Sequence, residues 1–384
     1  MGYLLILKPT IRRWATALVF YCIVSLAPSF GQNKEATEVL AISKKVADWQ
    51  LDEWKTNNMQ WPKWDWTNAV CYAGIYSYYD VSKEQRYADT LMAIANATNW
   101  KNGPNRSYAD EYCVAQLYCQ LYKEHQHENM IADFKSLANR LMKVPHTESL
   151  EWKNKIFLRE WAWCDALFMG PPSFAFLYSV TGQTQYFDFA SKMWWQTTDY
   201  LFDTTANLFL RDSRFFTKKG EDGNKIYWSR GNGWVMAGLC RMLENLPPNY
   251  KDEQKYVSLF QKMAAAVRKV QRTDGYWPTS LLDSVHYKQQ EASGTAFLCY
   301  ALTFGVRNGL LNMDEFRPVI DRAWNALTKM IHPDGKLGYV QKIGDAPGHV
   351  DYNDTEVYGV GAFLLAGAER VKLLNGEVKK RSTE

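Results

Sequence analysis

The sequence predicts an all-α fold, an (α/α)6 barrel of six inner and six outer helices. Three observations predict it. Apolar residues recur at helical spacing nearly throughout, and strand-like alternation is rare. Clusters of Gly, Pro, Asn and Asp cut the chain into about twelve such segments. Finally, the segments alternate in character, an amphipathic one followed by one that is apolar on every side.

In chain order the helices are expected near 35–54, 66–80, 83–98, 108–124, 128–143, 161–181, 184–202, 231–245, 252–271, 291–308, 314–331 and 354–374. The odd members carry one wet face, as in Glu253-Gln254-Lys255-Tyr256-Val257-Ser258-Leu259-Phe260. The even members are apolar all round and rich in small residues, as in Gly233-Trp234-Val235-Met236-Ala237-Gly238-Leu239 and Gly359-Val360-Gly361-Ala362-Phe363-Leu364-Leu365. A helix without a wet face is buried on all sides, so six of them form an inner ring inside six half-exposed partners. A solenoid would show a tighter repeat. What repeats is looser: Thr273-Asp274-Gly275-Tyr276-Trp277 and Pro333-Asp334-Gly335-Lys336-Leu337 each follow an outer helix and open a long loop.

Residues 1–31 read as a signal peptide. Lys8, Arg12 and Arg13 precede an apolar run from Trp14 to Leu26, and Ser29-Phe30-Gly31 supplies small residues before Gln32. The run is short for a membrane span, so an exported and periplasmic protein is expected, with no membrane attachment after cleavage. No linker divides 32–384, which reads as a single catalytic domain. Cleavage removes three positive charges and no negative ones, leaving +1 of the formal +4. That near-neutral balance gives no electrostatic case for nucleic acid. A monomer or weak homodimer is expected.

The six cysteines beyond the leader, Cys71, Cys113, Cys119, Cys164, Cys240 and Cys299, lie in apolar helical stretches and match no zinc or disulfide framework. Buried free thiols are the better reading. The six histidines are scattered, with no metal-pair spacing. No metal and no cofactor is expected.

In such a barrel all inner helices start at one mouth, and polar residues gather at those starts. They are Asp65 and Asn68, Asp110 and Glu111, Asp165, Arg230 and Asn232, Glu291 and Ser293, and Asn353 and Asp354. Six helix N-termini there favour an anionic ligand, a uronate before a neutral sugar. Asp165 is the sharpest signal. It sits in Trp161-Ala162-Trp163-Cys164-Asp165-Ala166-Leu167-Phe168-Met169, with only Arg159 and Glu160 as charged neighbours in sequence. A carboxyl buried among aromatics keeps its proton near neutrality, as a general acid requires. Capping or an ion pair is the structural alternative. For Asp110 the alternative of plain helix capping weighs as much as function. Trp228-Ser229-Arg230-Gly231-Asn232-Gly233-Trp234 supplies Arg230 to grip a carboxylate, Asn232 between two glycines, and Trp228 and Trp234 as sugar-stacking walls, with Trp163 beside Asp165. Trp234 could equally belong to the core. Glu291 and Ser293 read as packing and dipole complements. His286 and His349 lie in loops that lead to inner helices and are weak binding candidates.

On these motifs the chain resembles glycoside hydrolase family 105, the unsaturated rhamnogalacturonyl hydrolases, and the related family 88. The resemblance rests on Trp163-Cys164-Asp165-Ala166-Leu167-Phe168-Met169 with Pro171-Pro172, on Trp228 to Trp234, on Glu291-Ala292-Ser293-Gly294-Thr295-Ala296, and on Val360 to Ala366. It implies the (α/α)6 fold, no metal, and action on the 4,5-unsaturated uronyl residue that lyases leave at a non-reducing end. It also implies hydration of the vinyl ether rather than attack at the anomeric carbon. By analogy Asp165 protonates C4 and then activates the water that adds at C5. Asp110 matches the second aspartate, and Arg230, Trp234 and Trp228 match substrate-binding positions. Members often carry a histidine shortly before the catalytic aspartate; Glu151 to Glu160 has none, and His146 lies further upstream. The departure leaves the selection of the next sugar open, and galacturonyl and glucuronyl substrates both stand. The rival readings are a lyase or epimerase on the same barrel and a non-catalytic glycan-binding protein.

Overall fold

A computed structural model describes residues 1–2 and 33–379; the expected signal segment, 1–31, otherwise lies outside the described residues. The helices follow the anticipated alternation. The inner ring is α2 (Trp66–Ser82), α4 with α5 (Ala109–Tyr112 and Ala115–His125), α7 (Ala166–Thr181), α9 (Ser229–Glu244), α11 (Ala292–Arg307) and α13 (Val357–Leu374). Each packs on the next, and α13 closes onto α2. The outer helices are α1 (Lys34–Asn57), α3 (Gln85–Ala97), α6 (Asn129–Leu141), α8 (Thr184–Leu201), α10 (Glu253–Lys269) and α12 (Met313–Thr328). Of these, α8, α10 and α12 cover α7, α9 and α11, and α1 lies mainly on α13.

The inner ring closes because its helices lack bulk where they meet. A Cβ on Gly74 of α2 would lie 2.3 Å from the Gly361 carbonyl of α13, and one on Gly361 would lie 2.4 Å from the Val70 carbonyl. Only glycine permits that backbone approach. The two Asp-Gly turns after α10 and α12 place Gly275 and Gly335 at φ 102° and 107°, the left-handed region glycine favours.

Three of the boundaries that differ from the periodicity do so for a visible reason. The expected helix 108–124 breaks after Tyr112, because the Tyr112 carbonyl accepts the Ser173 hydroxyl of α7 (3.1 Å) while the Gln116 amide turns to Cys113 (3.1 Å). The helix expected from 161 starts at Ala166: Trp161 has φ 57°, and the Cys164 amide bonds the Arg211 carbonyl at 2.8 Å. The last helix starts at Val357 rather than 354, since Asp354 is tied into the preceding loop by the Asp351 amide and Lys342. One small antiparallel hairpin had no signal in the pattern: β1 (Phe202–Asp203) pairs with β2 (Leu208–Phe209). All six cysteines among the described residues are buried and unpaired.

Candidate active site

The starts of α2, α4, α7 and α9 and the loop before α13 enclose a cleft of about 470 Å³. Asp110 and Asp165 face it, with Arg211 and Arg230 as its cations. Trp66, Tyr108, Trp163, Trp228, Trp234 and Met169 supply apolar surface, and Ile343 and Gly344 close one side.

What separates the rim carboxylates is which of them cap a helix. Asp65 accepts the Thr67 amide at 2.9 Å and its hydroxyl at 2.7 Å, and Glu291 accepts the amides of Ser293 (2.9 Å) and Gly294 (2.6 Å). Both are therefore satisfied by their own helix, as capping requires. Asp165 occupies the cap position of α7 without capping it, and Asp110 has one buried oxygen with no hydrogen-bond partner. A buried acceptor left open in this way is costly, and marks a group held for something other than the fold.

Burial pushes the Asp110 carboxyl up to about 7; the Tyr108 hydroxyl opposes the shift and the charge of Asp165 adds to it. Asp165 is also raised by burial, with Arg211 and then Arg230 pulling against it. Burial thus favours the protonated form at both carboxyls. The isolated setting expected for Asp165 is corrected here. Arg211 Nε lies 3.4 Å from its Oδ2, brought there from the segment after β2.

Arg230 is in place but partly committed. Its Nη1 donates to the Gln341 carbonyl (2.9 Å) and its Nη2 to the Lys342 carbonyl (3.0 Å), so it anchors the loop that carries Ile343. Of five guanidinium protons, the remaining ones are left for a ligand. Trp228 lies flat against Arg230, 4.3 Å from ring to guanidinium, and donates to Gln341 Oε1 at 2.9 Å. Trp234 packs on Phe297 at 4.2 Å and on Trp66 at 5.9 Å. Both tryptophans line the cleft and are almost wholly buried. The half-exposed rings are Trp66 and Tyr108, which periodicity did not single out.

Three expected binders lie elsewhere. Asn232 is fully buried, and its amide bonds the Phe209 amide (2.8 Å) and carbonyl (3.1 Å); it pins β2 to α9. His286 pairs with Asp283 at 2.9 Å, and His349 with Asp351 at 3.0 Å, both away from the cleft lining. The His146 ring is buried against Glu160, 3.2 Å away.

The Glycosyl Hydrolase Family 88 model matches residues 42–374. The chain belongs to this family. Two family relatives are each an unsaturated 3S-rhamnoglycuronyl hydrolase. The one from Formosa agariphila is 34% identical, covering 80% of this chain and 85% of its own. The one from Alteromonas sp. (strain LOR) is 31% identical over 85% and 84%. Among solved structures, a family 88 hydrolase from Bacteroides vulgatus is 30% identical with a TM-score of 0.78, covering 88% of this chain and 99% of its own. A polysaccharide lyase is 32% identical with a TM-score of 0.80, over 88% and 98%. The barrel and its hydrolase class are thus those of family 88; a possible family 105 member from Salmonella enterica shares the fold at 21% identity.

Proposed function

We propose that this family 88 member removes a 4,5-unsaturated uronyl residue from the non-reducing end of lyase-generated oligosaccharides by hydrating the vinyl ether. The observation that carries the reading is the uncapped, buried pair Asp110 and Asp165 at the head of a cleft with two arginines. Asp165 gives its proton to C4, and the positive charge that develops at C5 is supported by the ionised partner carboxyl. Water adds at C5 and returns a proton to Asp165. The hemiketal opens, and the hemiacetal formed at C1 expels the remaining sugar. A protonated carboxyl beside an ionisable one suits this sequence, because the two roles need opposite charge states. Arg230 draws the uronate carboxylate, Trp66 and Tyr108 offer faces to the sugar ring, and Trp163, Trp228 and Trp234 set the width.

The names of the two relatives support a substrate in which the unsaturated uronyl is joined to rhamnose. The protein is exported and acts in the periplasm as a monomer or weak homodimer; the basic start and apolar run of 1–31 support export. A lyase reading is favoured by the similar lyase structure. Turnover in D2O separates the two. Hydration places one deuteron on C4, on a single face, and consumes the double bond; a lyase creates that bond and leaves no deuteron there.

A further inference from the structure

Arg211 is held on three sides. Its carbonyl accepts the Cys164 amide at 2.8 Å, its Nη1 donates to Asp212 Oδ2 at 2.7 Å, and its guanidinium lies 4.5 Å from the Trp152 ring. Arg214 lies over the same ring at 4.5 Å and bonds Asp212 at 2.9 and 2.7 Å, so Asp212 has a cation besides Arg211. The remaining edge of Arg211 faces the reaction. Its Nε lies 3.4 Å from Asp165 Oδ2 and is buried with no hydrogen-bond acceptor. An arginine placed to hold a ground-state carboxylate makes parallel bonds near 2.8 Å. This one stands off from the Asp165 carboxyl by more than such a bond, leaving a donor edge free to close in as charge develops there.

We propose that Arg211 is a positioning residue for the proton transfer: it fixes the Asp165 carboxyl and takes up the negative charge left when the proton moves to C4. The inference rests on the function proposed above. In the step, the Asp165 O–H bond breaks, the C4=C5 electron pair forms the new C4–H bond, and the Asp165 carboxylate closes onto Arg211 Nε. Water then supplies the hydroxyl at C5, and its proton returns to Asp165 and loosens that contact. An interaction stronger in the transition state than at rest accelerates the chemical step without tightening substrate binding. The charged and titratable groups facing Asp165 are Arg211, Arg230 from α9, the Cys164 thiol from its own segment, and Asp110 from α4. Tyr108 faces both carboxyls, Asp65 acts on Asp110, and Asp212 stands behind Arg211.

The test is Arg211→Met and Arg211→Lys in the mature enzyme, each with its melting temperature recorded. For Arg211→Met, kcat falls about 100-fold with KM nearly unchanged, as expected for lost transition-state charge stabilisation. The alkaline limb of the kcat profile moves to higher pH, because Asp165 loses a cation. Arg211→Lys restores part of the rate and part of the limb position, and carries the test if the methionine variant does not fold. A higher KM with kcat retained, or an unmoved alkaline limb in a folded variant, overturns the proposal. Carbon-13 NMR of labelled aspartates, with Asp165 assigned through Asp165→Asn, reads the same coupling without substrate. Asp165 titrates at higher pH in Arg211→Met; an unchanged titration overturns the proposal even if no unsaturated uronide is turned over by the wild type.

Discussion

At the residue scale, the division of labour among carboxyls follows from what each one bonds. Asp65 and Glu291 are consumed by helix amides, whereas Asp110 keeps an open oxygen in a buried cleft. Asp110 titrates higher in the folded chain than an unfolded aspartate does, so its contribution to stability is full below the unfolded value and is lost as pH rises through about 7. Asp110→Asn therefore stabilises the protein by on the order of 2 kcal/mol at pH 8 and by less at pH 5. The same substitution lowers kcat by about 100-fold, the ordinary scale for a group that serves the acid–base step. Denaturation at both pH values beside a rate measurement checks the pair of effects. Catalysis by the wild type should also decline on the alkaline side, as the raised Asp165 carboxyl loses the proton it donates. Asn232→Ala tests the reassignment of a residue that looked like a binder. Leaving the buried Phe209 groups unpaired should cost about 1–3 kcal/mol, with KM nearly unchanged. A raised KM at unaltered stability would return Asn232 to the substrate.

At the element scale, the inner ring was legible because burial writes itself into composition: helices without a polar face have nowhere to go but inside. The breaks were not legible, because they are made by partners distant in sequence. Ser173 takes the carbonyl that would have continued α4, and Arg211 takes the amide that would have begun α7. The site residues divide in the same way. Asp110, Asp165 and Arg230 stand at helix starts, where periodicity points, and all three line the cleft. Arg211 follows Leu208-Phe209-Leu210 in a long link, and no local pattern aims it at Asp165; the apolar run ahead of an Arg-Asp pair was the only hint. His286 and His349 misled because loop length does not tell which way a side chain turns. The glycine contact between α2 and α13 gives the prediction at this scale. Gly361→Ala forces a methyl against the Val70 backbone and should cost about 1–3 kcal/mol, a drop of several degrees in Tm. Thermal unfolding checks it.

At the scale of the whole molecule, closing six inner helices into a ring brings carboxylates more than fifty residues apart in sequence to one mouth and buries the thiols. All six described cysteines are buried, and burial raises Cys71, Cys164 and Cys240 well above the ordinary thiol range. Ellman's reagent should accordingly find six thiols in the mature protein after denaturation and almost none before. The most direct measurement of the central claim follows the ultraviolet absorbance of the conjugated double bond in an unsaturated uronyl–rhamnose disaccharide. The account predicts that wild type abolishes the absorbance and Asp165→Asn, folded to the same Tm within a few degrees, leaves it intact. Absorbance that persists with wild type, or that grows when an intact polyuronide is supplied, would contradict hydration and make this barrel a binder or a lyase.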